Sequence, residues 1–144
     1  MRVERYSDIY FLDVFKLVEK FYHAYLVDIF GKPDNDTLVK TINDNQDLLF
    51  LLIIKDSCVG LIAGVDIKSR LNNDRFFQEI IWYVEKPHGR FGFYLIKETM
   101  KHLKTLGFSS IIMSVLENKQ SSRIKKIYEK QGFKPMETHF VRAL

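Results

Sequence analysis

Apolar residues alternate between two periodicities along the chain, and these periodicities predict six strands and four helices. Short apolar or alternating runs of strand length occur at 2–5, 48–54, 59–67, 76–84, 110–116 and 138–144. Apolar positions at helical spacing follow Ser7 or Asp8, Asp34 or Asp36, the segment 87–92, and Ser121 or Ser122. The predicted order is strand, two helices, three strands, helix, strand, helix, strand, with a polar loop at 68–75.

The first two helices are predicted to bury one stripe each. For the first helix, the aromatic and aliphatic residues at helical spacing are Phe11, Phe15, Val18, Tyr22, Tyr25 and Ile29. Gly31 and Pro33 then end this helix. The second helix carries Leu38, Val39 and Ile42. Such stripes more often pack into a core than bind a ligand, so we interpret both as core faces.

The strand pattern predicts an α/β (α+β) fold with a mixed, mostly antiparallel sheet. The run 48–54 is apolar throughout, as expected for a strand that is covered on both faces. A four-residue turn, Lys55 to Cys58, leads into 59–67 and indicates an antiparallel hairpin. The segment 110–116 follows a helical crossover, which favours pairing parallel to 76–84. With 144 residues, the chain has the length of one domain, 1–144.

The segment that joins the strand 76–84 to the next helix has the composition of a phosphate-binding loop. It contains Gly89, Arg90 and Gly92. A strand that leads through such a loop into a helix presents backbone N–H groups at the positive end of the helix dipole, where anions bind. The alternative is that the two glycines only allow the turn, since glycine-rich patterns are common without phosphate.

Composition and charge narrow the class of protein. No apolar run approaches the roughly 18 residues of a membrane span, and the longest is 48–54. A single cysteine, Cys58, excludes an internal disulfide and suits the cytoplasm. The four histidines show no metal-ligand spacing, so no metal is expected. Segment 119–134 has six basic residues against Glu129, but aromatics are not interleaved with them, which disfavours a nucleic-acid-binding domain.

Several of these segments resemble the GCN5-related N-acetyltransferase (GNAT) family, and the resemblance covers nearly the whole chain. Segment 127–133, Ile-Tyr-Glu-Lys-Gln-Gly-Phe, is similar to the family's Leu-Tyr-x-x-x-Gly-Phe signature. Segment 79–84 resembles its fourth strand, and 88–94 falls where the pyrophosphate loop Gln/Arg-x-x-Gly-x-Gly/Ala belongs. That loop is two or three residues shorter than usual here, with His88 in the leading position. Segment 134–138 is similar to small phage-encoded members.

The resemblance implies a GNAT-like domain and an acetyl-CoA co-substrate. The expected sheet has six to seven strands with about four flanking helices, and its fourth and fifth strands are splayed. The pantetheine arm is expected to pair with the backbone between these strands. The family's asparagine position is taken here by Ser121, with Asn118 three residues upstream. The expected coenzyme-binding residues are Tyr83, Val84, His88, Gly89, Arg90, Phe91, Gly92, Phe93, Asn118 and Ser121.

Acyl transfer to an amine needs a base and an acid, and the resemblance suggests one residue for each. An alkylammonium has a pKa of about 10.4 and must lose a proton before it attacks. Glu79 occupies the position of the general base in histone-modifying relatives, and Tyr128 that of the family's usual general acid. The alternatives are a surface carboxylate on a strand for Glu79 and a half-buried packing tyrosine for Tyr128.

The acceptor is expected to be the amine of a small molecule or peptide. Four acidic residues against Lys40 in segment 34–47 suggest that this amine is cationic. The expected assembly is a monomer or homodimer. The alternative function is a catalytically silent GNAT-fold module that binds acyl-CoA or another protein.

Overall fold

The structure is a computed structural model that describes residues 1–68 and 72–144. Residues 69–71 of the predicted polar loop 68–75 lie outside the described residues. The described chain divides into two compact units, Met1–Ser114 and Val115–Leu144. The first contains the sheet with four helices, and the second contains one helix and the C-terminal segment.

The first unit is built on a mixed sheet whose strands lie in sequence order. The described strands are β1 (Arg2–Arg5), β2 (Leu49–Ile54), β3 (Ser57–Lys68), β4 (Arg75–Val84) and β5 (Ser110–Ile112). Neighbouring strands from β1 to β4 are antiparallel, whereas β4 and β5 are parallel. The predicted mixed, mostly antiparallel sheet and the parallel β4–β5 pair are therefore confirmed.

The hairpin between β2 and β3 turns on two residues with left-handed backbone. Lys55 has φ 48° and Asp56 has φ 61°. Two consecutive residues with positive φ match the twist of the flanking strands, which is why two-residue hairpins favour this geometry. The predicted antiparallel hairpin is confirmed, but the turn has two residues instead of four, because Ser57 and Cys58 already pair with β2.

Helices cover both faces of the sheet. They are α1 (Phe11–Tyr25), α2 (Val27–Phe30), α3 (Asn35–Asp44) and α4 (Gly92–Thr105). A core cluster on one face contains residues of α1, α3 and alternate positions of β2 and β3. The other face is aromatic: the Phe50 ring lies 6.2 Å from that of Phe77 and 5.7 Å from that of His102 on α4. β2 is thus buried on both sides, as its unbroken apolar run predicts.

The buried stripe predicted for the first helix is partly wrong. The fully buried residues of α1 are Val14, Leu17, Val18 and Phe21, whereas Phe11, Phe15 and Tyr22 are only partly buried. Tyr25 and Ile29 are exposed. The first helix ends at Tyr25 and Ile29 belongs to the separate short helix α2, so the six predicted positions do not form one buried stripe.

The helix ends agree better with the sequence prediction. Asp34 caps α3 by accepting the backbone N–H of Thr37 at 2.9 Å, and Leu38 and Ile42 are buried. Gly107 follows α4 with φ 84°, in the left-handed region that favours glycine at such a position. In the second unit, α5 (Ser121–Lys130) is followed by Gly132 with φ 87°.

Two predicted strands differ from the structure. The segment 110–116 is a strand only over Ser110–Ile112, and 138–144 has no regular secondary structure. Phe140 in this tail is 94% exposed. Strand propensity needs neighbouring strands to pack and pair with, and the described residues of the second unit contain none. The described sheet therefore has five strands, where six to seven were expected.

Arg75, the first residue of β4, ties the α4–β5 connection to the sheet. Its guanidinium donates to the Leu106 carbonyl at 2.8 Å and to Asp66, and it stacks over the Phe108 ring at 4.3 Å. The Arg75 carbonyl accepts the Ser109 N–H at 3.0 Å. These contacts hold β5 beside the first residues of β4.

Replacing Arg75 with alanine is expected to lower the free energy of unfolding by about 1–3 kcal/mol, because the variant loses charge-assisted hydrogen bonds and a ring contact. Urea denaturation measures this change. Lys101→Ala is the control, since the exposed Lys101 pairs, among the described residues, only with Glu98 on the same helix. Equal stability of the two variants would contradict the role of Arg75.

Candidate functional site

Strand β4 contains a bulge at Ile80 that reorients the predicted base. Ile81 lies opposite Ala63 of β3, whereas Glu79 lies opposite Gly64, so Ile80 is the additional residue. Because Ala63 and Gly64 are consecutive, their partners Ile81 and Glu79 point to opposite faces of the sheet. A regular strand would have placed Glu79 and Ile81 on one face.

The parallel pairing between β4 and β5 stops just before Glu79. The described register joins Phe76, Phe77 and Gln78 to Ser110, Ile111 and Ile112. Beyond Gln78, β4 continues for six residues, to Val84, and among the described residues its pairing there is to β3 alone. This is the arrangement expected for splayed fourth and fifth strands, and it leaves an edge of backbone groups along β4.

Glu79 is a buried carboxylate at this point of separation. It is 7% exposed, and its Oε2 accepts the backbone N–H of Ser114 at 3.0 Å. Burial raises the pKa of Glu79 from 4.5 to about 7, while the Ser114 hydrogen bond opposes part of that rise. A carboxyl group with a pKa near neutrality exchanges its proton easily at physiological pH, as general bases and acids must.

Tyr83 and Val84 lie on the last part of β4, where β3 approaches closely. Val84 is opposite Gly60, and a Cβ added to Gly60 would lie 2.9 Å from a Val84 methyl. Gly60 therefore permits the close approach of the two backbones. Tyr83 packs against the core on the α1 side, and burial raises the pKa of its hydroxyl.

The predicted phosphate loop is a 3₁₀ helix, Lys86–Phe91, that continues directly into α4. The His88 N–H donates to the Glu85 carbonyl at 2.8 Å, and the Gly92 N–H donates to the Gly89 carbonyl. These two expected phosphate donors are thus bonded within the segment, and a bound phosphate would have to replace those bonds. Arg90 extends over the Phe91 ring, 4.7 Å from its centroid.

The two glycines of this segment have different surroundings. A Cβ at Gly92 would lie 3.1 Å from the Trp82 ring, so Gly92 allows α4 to pack closely on β4. The Trp82 and Phe93 rings meet edge to face at 5.6 Å and fix the same contact. A Cβ at Gly89 would meet nothing within 4 Å. The space beside the Gly89 Cα is therefore unfilled by other residues of the described chain.

The second unit holds the other predicted site residues. Tyr128 on α5 is buried, with its ring 5.2 Å from that of Phe133. The Asn118 side chain accepts the Gln120 N–H at 2.8 Å. Ser121 donates its hydroxyl to the Asn118 carbonyl at 2.9 Å and so does not cap α5 as predicted. These contacts order the turn that precedes α5.

Sequence reasoning missed two features near the predicted site. One is the Ser114 N–H that holds Glu79, which has no sequence signal because it belongs to the backbone. The other is an ion pair between Lys20 on α1 and Glu85 after β4, residues that are 65 positions apart. The sequence shows that Lys20 and Glu85 carry opposite charges, but only the fold brings these two residues together.

Residues 1–68 and 72–144 give little support for a metal site, a reactive cysteine or a membrane-spanning helix. No group of three or more His, Cys, Asp or Glu residues is placed to hold a metal ion. Cys58 is buried, and burial raises the pKa of its thiol to about 12, so it remains protonated and poorly nucleophilic. None of the described helices is both long enough and apolar enough to cross a bilayer.

Comparison with known proteins identifies the fold. By sequence, the chain matches no protein-family model and none of the curated proteins. Solved structures match over almost the whole chain. An aminoglycoside acetyltransferase from an uncultured soil metagenomic sample, in complex with trehalose, has a TM-score of 0.76 and 18% identity. The match covers 99% of this chain and 95% of that one.

Two further acetyltransferase structures give the same result. A ribosomal-protein-alanine N-acetyltransferase from Brucella melitensis biovar Abortus 2308 has a TM-score of 0.71 and 15% identity, and the match covers 100% of both chains. A GNAT family acetyltransferase from Staphylococcus aureus subsp. aureus USA300_TCH1516 has a TM-score of 0.69 and 14% identity, with 99% and 98% covered. The chain therefore has the GNAT fold, and the expected resemblance is confirmed at the level of the fold.

Proposed function

We propose that this protein is an N-acetyltransferase that transfers an acetyl group from acetyl-CoA to a primary amine. The observation that carries the proposal is the buried Glu79 carboxylate, with its raised pKa, where β4 separates from β5. A structural carboxylate on a sheet surface would be solvated or paired with a cation, whereas Glu79 is buried and bonded to one backbone N–H.

In the proposed reaction, the amine loses its proton to Glu79 through a water molecule and then attacks the thioester carbonyl carbon. The new C–N bond forms a tetrahedral intermediate, whose oxyanion would be stabilised by a backbone N–H near Val84. Collapse of the intermediate breaks the C–S bond. The thiolate takes the hydroxyl proton of Tyr128 and leaves as coenzyme A, and the surplus proton on the nitrogen passes through water to the Tyr128 oxygen, while Glu79 gives its proton to solvent. Tyr128 is proposed as the acid because it occupies the tyrosine position of segment 127–133.

For the coenzyme, the open edge of β4 at Tyr83 and Val84 suits the amide-rich pantetheine arm, which would add as a strand. The space beside Gly89 and the adjacent Arg90 guanidinium suit the pyrophosphate, which would replace hydrogen bonds within the 3₁₀ helix. His88, Phe91, Gly92 and Phe93 are also proposed to contact the coenzyme, because they belong to the same segment. Asn118 and Ser121 are proposed from their sequence position.

For the acceptor, we propose a small-molecule or peptide amine. Among the solved structures of this fold, one holds sisomicin and belongs to an aminoglycoside acetyltransferase. The acidic segment 34–47 supports a cationic amine only in part. Asp34 caps α3, Asp44 pairs with Lys40, and Asp47 lies 3.7 Å from Arg5, so Asp36 is the member without an ion pair or cap among the described residues.

The proposal is tested by binding and turnover. A thermal-shift titration with acetyl-CoA is expected to stabilise the protein by roughly 2.7 kcal/mol at a hundred times the dissociation constant. Release of free thiol in the presence of a panel of primary amines, including aminoglycosides, polyamines and lysine peptides, then measures turnover. Binding without thiol release on any amine would favour the silent acyl-CoA-binding module instead, and absence of binding would overturn both.

Gly89→Ala is expected to weaken acetyl-CoA binding while leaving the free protein as stable as wild type or slightly more so. Gly89 lies in a 3₁₀ helix with negative φ and open surroundings, so alanine reduces the freedom of the unfolded chain by about 0.4–1 kcal/mol. The new methyl group, however, would occupy the space that a phosphate needs. Calorimetric titration and urea denaturation measure the two effects.

Gly92→Ala is the matched comparison at the neighbouring glycine. Its methyl group would lie 3.1 Å from the Trp82 ring, and the edge contact with Phe93 opposes displacement of that ring, so this variant is expected to lose stability in the free protein. Unchanged acetyl-CoA affinity in Gly89→Ala would exclude the pyrophosphate from this backbone.

A further inference from the structure

Glu85, the residue between β4 and the 3₁₀ helix, is held at all three of its polar groups. Its N–H donates to the Val59 carbonyl of β3 at 2.9 Å, and its carbonyl accepts the His88 N–H at 2.8 Å. Its carboxylate pairs with the Lys20 ammonium on α1. Three elements of the first unit thus converge on one residue, at the point where the chain leaves the sheet.

The side-chain contact is the only one of the three that reaches across to α1. The two backbone hydrogen bonds join Glu85 to β3 and to the 3₁₀ helix that follows Glu85. They do not depend on which side chain is at position 85. Lys20 and Glu85 line the same pocket of about 190 Å³. Its other walls are one face of α1 and the start of β3, at Ser57, Cys58 and Val59. Lys16 lines the same pocket but makes no ion pair among the described residues.

We infer that Lys20 and Glu85 are positioning residues that orient the segment 86–92 for the coenzyme, an inference that rests on the proposed function. The Glu85 side chain fixes the direction in which β4 leads into the 3₁₀ helix, and the helix carries Gly89 and Arg90. Neither residue is assigned a contact with coenzyme or acceptor. Lys20 acts through Glu85, and Glu85 acts through the backbone that it holds.

A positioning role and a purely structural role differ in what they change. Both side chains are partly exposed, at 54% for Lys20 and 30% for Glu85, so their attraction is weakened by solvent. A purely structural role would lower the free energy of unfolding slightly and leave the coenzyme affinity of the folded protein unchanged, because exposed pairs are weak. A positioning role would in addition weaken coenzyme binding, because segment 86–92 would lose its orientation.

The test compares Lys20→Met and Glu85→Gln with Lys16→Met, which removes an unpaired lysine from the same face of α1. We expect the KM for acetyl-CoA to rise about 3- to 5-fold in the first two variants, the largest effect that an exposed pair can produce, with kcat within twofold of wild type. Lys16→Met is expected to match wild type. The exchanged pair, Lys20→Glu with Glu85→Lys, should recover most of the lost affinity.

Hydrogen exchange gives a readout that does not depend on turnover. The His88 N–H, which is bonded to the Glu85 carbonyl, is expected to exchange faster in Lys20→Met than in Lys16→Met. If wild type binds acetyl-CoA but all variants share its KM and exchange rate, the positioning role is wrong and the proposed function stands. If wild type fails to bind acetyl-CoA, the proposed function fails, whatever the exchange rates show.

Discussion

Replacing Glu79 with glutamine is expected to lower kcat at least about 100-fold, because general-base catalysis contributes 10²–10⁴ in rate. Glutamine keeps the shape of the side chain, and its amide oxygen still accepts the Ser114 N–H. It cannot take a proton from the amine. The wild-type rate is expected to show an ionisation near pH 7, the raised pKa of Glu79, that is absent from the variant.

The same substitution should stabilise the protein at alkaline pH. The folded-state pKa of Glu79 is raised from 4.5 to about 7, so between these values the folded protein binds a proton that the unfolded chain has released. The free energy of unfolding of wild type therefore falls as the pH rises through this range, and the cost is complete above about pH 8. There the variant is expected to be more stable by roughly 3 kcal/mol, and near pH 4 the two should be equal.

Glu98→Gln is the matched control, since Glu98 makes an exposed pair with Lys101 on α4. It is expected to change neither the rate nor the pH dependence of stability. A Glu79→Gln variant that gains alkaline stability but keeps full turnover would show that the carboxylate is buried without acting as the base.

Tyr128→Phe is expected to lower kcat by about 10- to 100-fold with little change in acetyl-CoA affinity. The variant loses its proposed general acid, and the expected loss in rate is near the low end of what general acid–base catalysis contributes. The ring stays in place, since phenylalanine preserves the contact at 5.2 Å with Phe133. Stopped-flow release of coenzyme A and equilibrium titration of acetyl-CoA separate the two quantities.

Tyr22→Phe provides the comparison for Tyr128. Tyr22 is a partly buried tyrosine of α1, and removal of its hydroxyl is expected to leave kcat unchanged. If Tyr128→Phe turns over like Tyr22→Phe under saturating substrates, Tyr128 is a packing residue and the acid must be sought elsewhere.

Local signals in the sequence predicted most of the elements correctly. Gly107 and Gly132 mark helix ends because their positive φ angles suit glycine, and the run 48–54 predicts a doubly covered strand because every position is apolar. The tail 138–144 shows the opposite case. Its alternating apolar residues satisfy a local rule, but a strand also requires a partner that the rule does not supply.

For the candidate site, the sequence singles out residues but not their geometry. The position of Glu79 was visible in the sequence, yet its burial, its raised pKa and its Ser114 partner depend on a bulge at Ile80. A bulge is set by the register between two strands, and register is decided by long-range pairing. The Lys20–Glu85 pair has the same origin, since no short-range pattern connects α1 with the end of β4.

The open edge of β4 beyond Gln78 also has a consequence outside catalysis. Strand edges without a partner recruit other chains and so promote aggregation, and beyond Gln78 the described pairing of β4 is to β3 alone. A pantetheine ligand that occupies the edge would act as a cap against self-association. The solubility of the protein during overexpression should therefore follow the supply of coenzyme A in the host.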